Sequence, residues 1–216
     1  MIKTIKKIIK SNYLWIIFFI CILLFLALAE DVFTHEIMKG DIIGYNLVSK
    51  YLIKTNTTPI VKYITWFGSA TCLILITLLS FILKNKKISI CILSNLTIIT
   101  ILNQLFKFIF ERPRPTEYRI ITETGYSFPS GHSMVSMAFY GFIIYLIYKN
   151  VNNKYIKWLV ISILSLLIIS IGISRIYLGV HYTSDVLAGF LISISYLILY
   201  IKYTNKIIDK DSNYEK

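Results

Sequence analysis

The sequence predicts an all-α, polytopic membrane protein: six transmembrane helices, with an interfacial helix in the first outer loop, forming one domain over residues 1–216. Three observations carry this. Hydrophobic residues make up 56% of the chain and the mean hydropathy is +0.67, too apolar for a soluble domain of 216 residues. The apolar residues gather into runs of membrane-spanning length. Lysines mark the ends of those runs instead of forming one stripe, which argues against a nucleic-acid partner despite a formal charge of +12.

The first span is expected over Tyr13–Ala29, after a segment from Met1 to Lys10 that carries four lysines. Ala27-Leu28-Ala29 before Glu30 resembles a signal-peptidase site, and an uncleaved anchor is the favoured reading. From Glu30 to Pro59, apolar residues such as Ile37, Ile42, Ile43, Leu47, Val48, Tyr51 and Leu52 alternate with Asp31, Glu36 and Asp41. That spacing suits a helix lying on the membrane surface. His35 in this stretch has no partner motif and reads as an ordinary interfacial residue.

The remaining spans are expected over Ile60–Leu83, Ile88–Phe110, Met134–Tyr148, Trp158–Ile173 and about Asp185–Ile201, helical because backbone crossing a bilayer must satisfy its own hydrogen bonds. The N-terminus, second and fourth loops and tail hold 14 basic residues against three acids; the opposite side holds nine against eight. Lysine excess marks cytoplasm, so both termini are expected inside, and the polar stretches Glu111–Ser133 and Ser174–Ser184 open together on the outer face. Cys21, Cys72 and Cys91 lie inside apolar runs without paired spacing and are expected to be buried packing residues.

Chemistry concentrates in those two outer stretches. Only four of the 23 basic residues are arginine, and Arg112, Arg114, Arg119 and Arg175 all fall there; the rigid guanidinium fork suits phosphate. Lys107 ends the third span, and Pro113 and Pro115 hold Arg114 extended beyond it, so the two cations could grip one anion. In Pro129-Ser130-Gly131-His132, Ser130 is placed to cap the fourth span and Gly131 to admit a ligand close to backbone. The first-turn N–H groups and the helix dipole then favour an anion. His181 and Asp185, four residues apart, would share a helix face; a carboxylate on one ring nitrogen fixes the tautomer and frees the other to attack. Each cluster alone could be structural: an interfacial lysine, a capped helix start, a polar pair between helices. Two histidines, an aspartate, cations and a helix N-terminus on one face are together what phosphoryl transfer through a phosphohistidine requires.

Lys107 with six residues before Arg114-Pro115, then Pro129-Ser130-Gly131-His132, then Ser174-Arg175 with five residues before His181 and three before Asp185, resembles the complete tripartite signature of the type 2 phosphatidic acid phosphatase superfamily, which includes vanadium haloperoxidases. The resemblance implies His181 as nucleophile, Asp185 as its orienting group and His132 as the acid for the leaving group. It implies phosphate binding by Lys107, Arg114, Arg175, Ser130 and Gly131, with neither metal nor cofactor. Arg112, also before a proline, offers a rival register for the first motif, which the six-residue spacing disfavours; Arg119 matches no signature position. The implied function is a membrane lipid phosphatase acting at the outer surface of a cytoplasmic membrane. Its partners would be the bilayer and a membrane lipid phosphate or isoprenyl diphosphate substrate: undecaprenyl pyrophosphate first, then phosphatidylglycerol phosphate or phosphatidic acid. A haloperoxidase is disfavoured because those enzymes are soluble, and a non-enzymatic lipid-binding or transport protein because every catalytic position is filled. The motifs leave oligomeric state, and phosphotransfer to an acceptor other than water, open.

Overall fold

The computed structural model describes residues 2–34, 38–54, 56–82 and 85–212. These form eight helices: α1 (Ile2–Phe33), α2 (Lys39–Leu52), α3 (Thr58–Trp66), α4 (Ala70–Ser80), α5 (Lys86–Phe110), α6 (Gly131–Asn150), α7 (Lys154–Tyr177) and α8 (Thr183–Ser212). The described residues contain no strand. His35, expected as an interfacial residue, lies outside them.

Among the described residues, five stretches are long and apolar enough to span a bilayer: Asn12–Phe33, Lys86–Phe110, Gly131–Asn150, Lys154–Tyr177 and Thr183–Ile208. The second expected span is present but broken. It divides at Phe67-Gly68-Ser69 into α3 and α4, bent by 44°, and the six-span count holds when that pair is one span. Ser69 caps α4 by accepting from the Cys72 N–H at 3.3 Å, so the break is a defined helix start. Gly68 fits there because a Cβ would stand 2.7 Å from Ile171 and 3.1 Å from the His132 ring.

The central helix is α6, flanked by α5, α7 and α8, with α1 against α8 and α3 against α7. Phe139, Phe142, Leu73 and Ile171 are almost fully buried at its middle, where Phe142 meets the Tyr200 ring edge-on at 5.2 Å between centroids. Close approach of α8 to the start of α6 needs Gly189, since a Cβ there would lie 3.1 Å from both Met134 N and Ser130 O. Ala29 packs inside α1 with Phe25, Phe110, Phe128 and Ala188. The three cysteines are buried and free. The outward faces of α1, α4, α5 and α7 expose Phe19, Leu23, Leu79, Phe108, Leu159 and Leu166, an apolar surface fitted to lipid.

The amphipathic segment forms α2, but Asp41 is not on a solvated polar face: it is 3% exposed and bonded inside the protein. Gly44 makes this packing possible, because a Cβ there would overlap the Thr183 side chain at the start of α8.

Candidate active site

The site lies where the ends of α5 and α7 meet the starts of α6 and α8, under the loop of residues 111–130. That loop is tied at several points. Ser127 donates from N to Arg112 O at 2.8 Å and from Oγ to Pro113 O at 3.0 Å. Ile120 N donates to Leu178 O at 3.0 Å, and Gly179, at φ +68°, leaves room for the Tyr118 carbonyl. Phe128 is fully buried, stacked on Phe25 at 5.9 Å and edge-on to Phe110 at 4.9 Å.

Ser130 caps α6 as the sequence predicts: its Oγ accepts from Ser133 N at 3.4 Å and from Ser133 Oγ at 2.9 Å. Its own N–H is taken by the Asp185 carbonyl at 3.0 Å, which leaves the first-turn N–H groups of Gly131 and His132 for a ligand. Asn103 of α5 steadies this turn, donating to Pro129 O at 3.2 Å, and its Oδ1 would lie 3.0 Å from a Cβ at Gly131.

His181 does not sit in a helix with Asp185, as their spacing suggested. It precedes α8, and Asp185, in the first turn, reaches back over the helix start. Asp185 Oδ2 accepts from Tyr182 N at 2.9 Å and meets His181 Nδ1 at 3.3 Å. The carboxylate thus caps its own helix and orients the imidazole at once. His181 Nε2 is 3.1 Å from Arg114 Nη1, which can only donate, so the network assigns the proton to Nδ1 and a lone pair to Nε2. Burial pushes the His181 pKa down to about 4 against the opposing pull of Asp185, with Arg175 and Arg114 adding to the depression. At neutral pH the ring is uncharged.

The cations converge from three elements. Arg114 is 7% exposed and held by the carbonyls of Gly125 at 2.9 Å, Val180 at 3.0 Å and Thr124 at 3.1 Å. Arg175 is 1% exposed, donating to Thr65 Oγ1 at 2.7 Å and to Glu123 Oε1 at 2.5 Å; its Nε is buried without a partner. Lys107 donates to Tyr126 O at 2.7 Å and lies within electrostatic reach of Arg114, Arg175, Asp185 and Glu123. His132 is within reach of Arg175, His181, Arg114 and Lys107. All eight residues expected at the site therefore gather at one place. Arg114, and not Arg112, reaches the imidazole, in agreement with the six-residue spacing. Arg119 bonds the Pro115 carbonyl and stays in the loop.

Several contributors carried no motif. Thr65, just before the break between α3 and α4, steadies Arg175. Glu123 lies between Arg175 and Arg114, the latter 4.0 Å away. Burial alone would raise its carboxyl, but these two guanidiniums more than reverse that and hold it below the ordinary carboxylate value. Arg112 turns away from the imidazole to Asp185 Oδ1 at 2.6 Å and Asp41 Oδ2 at 2.8 Å. These two carboxylates keep its guanidinium pKa above the ordinary arginine value although burial opposes the charge. Signal for Asp41 was present only as an acid among apolar residues. Among the described residues, no cluster of three His, Cys, Asp or Glu side chains has the arrangement of a metal site.

A buried histidine on a carboxylate, cations around its free nitrogen and a helix start beside it, all set in a helical membrane bundle, define a membrane-embedded phosphatase. The PAP2 superfamily profile matches residues 70–209, well over half of the chain, and the chain belongs to that superfamily. Phosphatidylglycerophosphatase B of Bacillus subtilis is 35% identical over 111 residues, which span 50% of this chain and 53% of that one, about half its length. Undecaprenyl-diphosphatase of Sulfolobus acidocaldarius is 28% identical over 212 residues, covering 92% of this chain and 95% of that one. Among solved structures, the transmembrane PAP2-type phosphatidylglycerolphosphate phosphatase of Bacillus subtilis superposes with a TM-score of 0.78 at 28% identity, over 87% of this chain and 95% of that one. LpxE of Aquifex aeolicus shares the fold, with a TM-score of 0.61 at 24% identity, over 74% and 93% of the two chains.

Proposed function

We propose that the chain hydrolyses a lipid phosphomonoester or diphosphate through a phosphohistidine at His181, on the outer face of a cytoplasmic membrane. The observation that carries this is the pairing of the two His181 nitrogens, Nδ1 with Asp185 and Nε2 with the Arg114 guanidinium. The Nε2 lone pair attacks phosphorus while His132 gives its proton to the leaving oxygen, and the P–O bond to the lipid breaks. Arg114, Arg175 and Lys107, with the N–H groups of Gly131 and His132, stabilise charge on the equatorial oxygens. The unpartnered Arg175 Nε is a donor ready for one of those oxygens. Water, deprotonated by His132, then attacks the phosphohistidine and releases inorganic phosphate. Every role falls to a protein side chain or backbone group, with no metal and no cofactor.

The lysine asymmetry supports both termini inside and the site outside, with α2 at the outer interface. The preferred substrate is undecaprenyl pyrophosphate, supported by the relative of that activity that aligns over nearly the whole chain. Phosphatidylglycerol phosphate is the second reading, supported by the Bacillus fold match. Phosphate release from each lipid and from phosphatidic acid, with chelator present, tests this. His181→Ala is expected to abolish release; retained turnover would overturn the mechanism, and hydrolysis of none of the lipids by the parent would overturn the substrate class.

A further inference from the structure

Behind the nucleophile, three buried charges stand in a row drawn from three parts of the chain. Asp41 comes from α2, Arg112 from the loop after α5, and Asp185 from α8. Their side chains are 0%, 6% and 0% exposed. Both terminal nitrogens of the Arg112 fork are engaged, Nη2 on Asp41 Oδ2 at 2.8 Å and Nη1 on Asp185 Oδ1 at 2.6 Å and Ser184 Oγ at 2.8 Å. Asp41 Oδ1 accepts from Ser184 N at 2.8 Å, adding a second carboxylate to the start of α8. The Tyr182 ring closes one face of the guanidinium at 4.1 Å. Burying such a row stabilises a fold poorly compared with apolar packing of the same volume, so stability alone is a weak reason for it.

We infer that Asp41 is a positioning residue for phosphoryl transfer: by fixing one arm of the Arg112 fork it fixes the other on Asp185, and so sets how Asp185 presents His181. The inference rests on the phosphohistidine reading above. Asp41 touches no reacting atom; it acts through Arg112. Without it the Nη2 arm is released and the fork is held only through Nη1, by Asp185 and Ser184, and by the Tyr182 ring; the Arg112 charge, now shared between two carboxylates, falls on Asp185 alone. The helix that holds Asp41 is the amphipathic α2, so the seating of that segment on α8 is linked to the aim of the imidazole.

The test uses the full-length protein in detergent, with Asp41→Asn and the double variant D41N/R112M, which removes both outer charges and leaves Asp185 held by Tyr182 N and His181 Nδ1. Turnover is followed on one lipid phosphate across pH, so that ionisation of the substrate is common to all variants. The groups facing the His181–Asp185 pair stay in place in each variant: Lys107 of α5, Arg114 and Glu123 of the loop, His132 of α6, Arg175 of α7 and Tyr182 before α8. D41N is expected to lower kcat about tenfold with KM unchanged. It should also move the acid limb of kcat/KM to lower pH, because an undivided arginine charge beside Asp185 makes His181 harder to protonate. The double variant is expected to lower kcat further, to about a hundredfold below the parent. Its limb should move the opposite way, to higher pH, since Asp185 then acts on the imidazole without a cation. Parental kcat in both variants, or equal losses at every pH with the limb unmoved, would overturn the inference. If D41N alone does not fold, the double variant decides. Turnover by His181→Ala would instead sink the phosphohistidine reading, so the two failures are distinguishable.

Discussion

Lowering the pH should destabilise this protein through His181, and the amount can be worked out. In the unfolded chain the imidazole titrates near its ordinary 6.5; in the folded protein burial holds it at about 4. Above pH 6.5 the ring is neutral in both states and stability does not depend on it. Between 6.5 and 4 the unfolded chain takes up a proton that the folded one refuses, so stability falls by about 1.4 kcal/mol per pH unit. Below pH 4 both states are protonated and the loss levels off, having reached about 3 kcal/mol. On a chain of this size that is a drop on the order of 5–10 °C in melting temperature. The comparison is between the parent and His181→Asn, each melted in detergent at the same scan rate from pH 7 to pH 4. The parent is expected to lose that much more than the variant over the window. Superimposable pH profiles would show that His181 is not held neutral by burial, and the nucleophile assignment would lose its physical basis.

Three further outcomes follow from the cradle and its supports. Arg114→Lys keeps the charge but loses the fork that binds three carbonyls and the imidazole, and steady-state kinetics should show kcat/KM falling about a hundredfold, or about 3 kcal/mol. Glu123→Gln removes the carboxylate that pairs with Arg175; competitive inhibition by inorganic phosphate should tighten several-fold, and an unchanged inhibition constant would mean that Glu123 does not compete with phosphate for Arg175. Gly44→Ala forces a methyl into the Thr183 side chain, and the strain of moving α2 off α8 should destabilise the protein by about 1–3 kcal/mol, read by denaturant melts, with activity lost in parallel.

The spans and the three motifs were legible because each is local. A hydropathy window sees about one helix, and every signature residue stands beside partners that are close in the chain. What escaped was set by contacts between distant segments. Asp41 looks like the polar edge of an amphipathic helix, and only the seating of α2 on α8 turns it towards Arg112, 71 residues away. The break at Gly68 is invisible to hydropathy because α3 and α4 are apolar on both sides of it. It needs knowledge that Ile171 and His132 crowd that backbone. The spacing of His181 and Asp185 did find a true pair, but by the wrong geometry. A carboxylate in the first turn of a helix reaches residues before that helix, a capping relation that counting by fours does not distinguish from a shared face.

The bond from Ser130 N to the Asp185 carbonyl joins the two halves of the chemistry. One residue, Asp185, holds His181 with its side chain and with its backbone fixes the turn that carries His132. The spacing between the start of α6 and the start of α8 is therefore fixed by a backbone bond and not by side chains alone. The superfamily profile begins at residue 70, the first residue of α4, and leaves α1–α3 outside it. Yet Asp41 of α2 and Thr65 of α3, both in that forward part, hold Arg112 and Arg175, so supports of the site reach beyond the segment the superfamily shares.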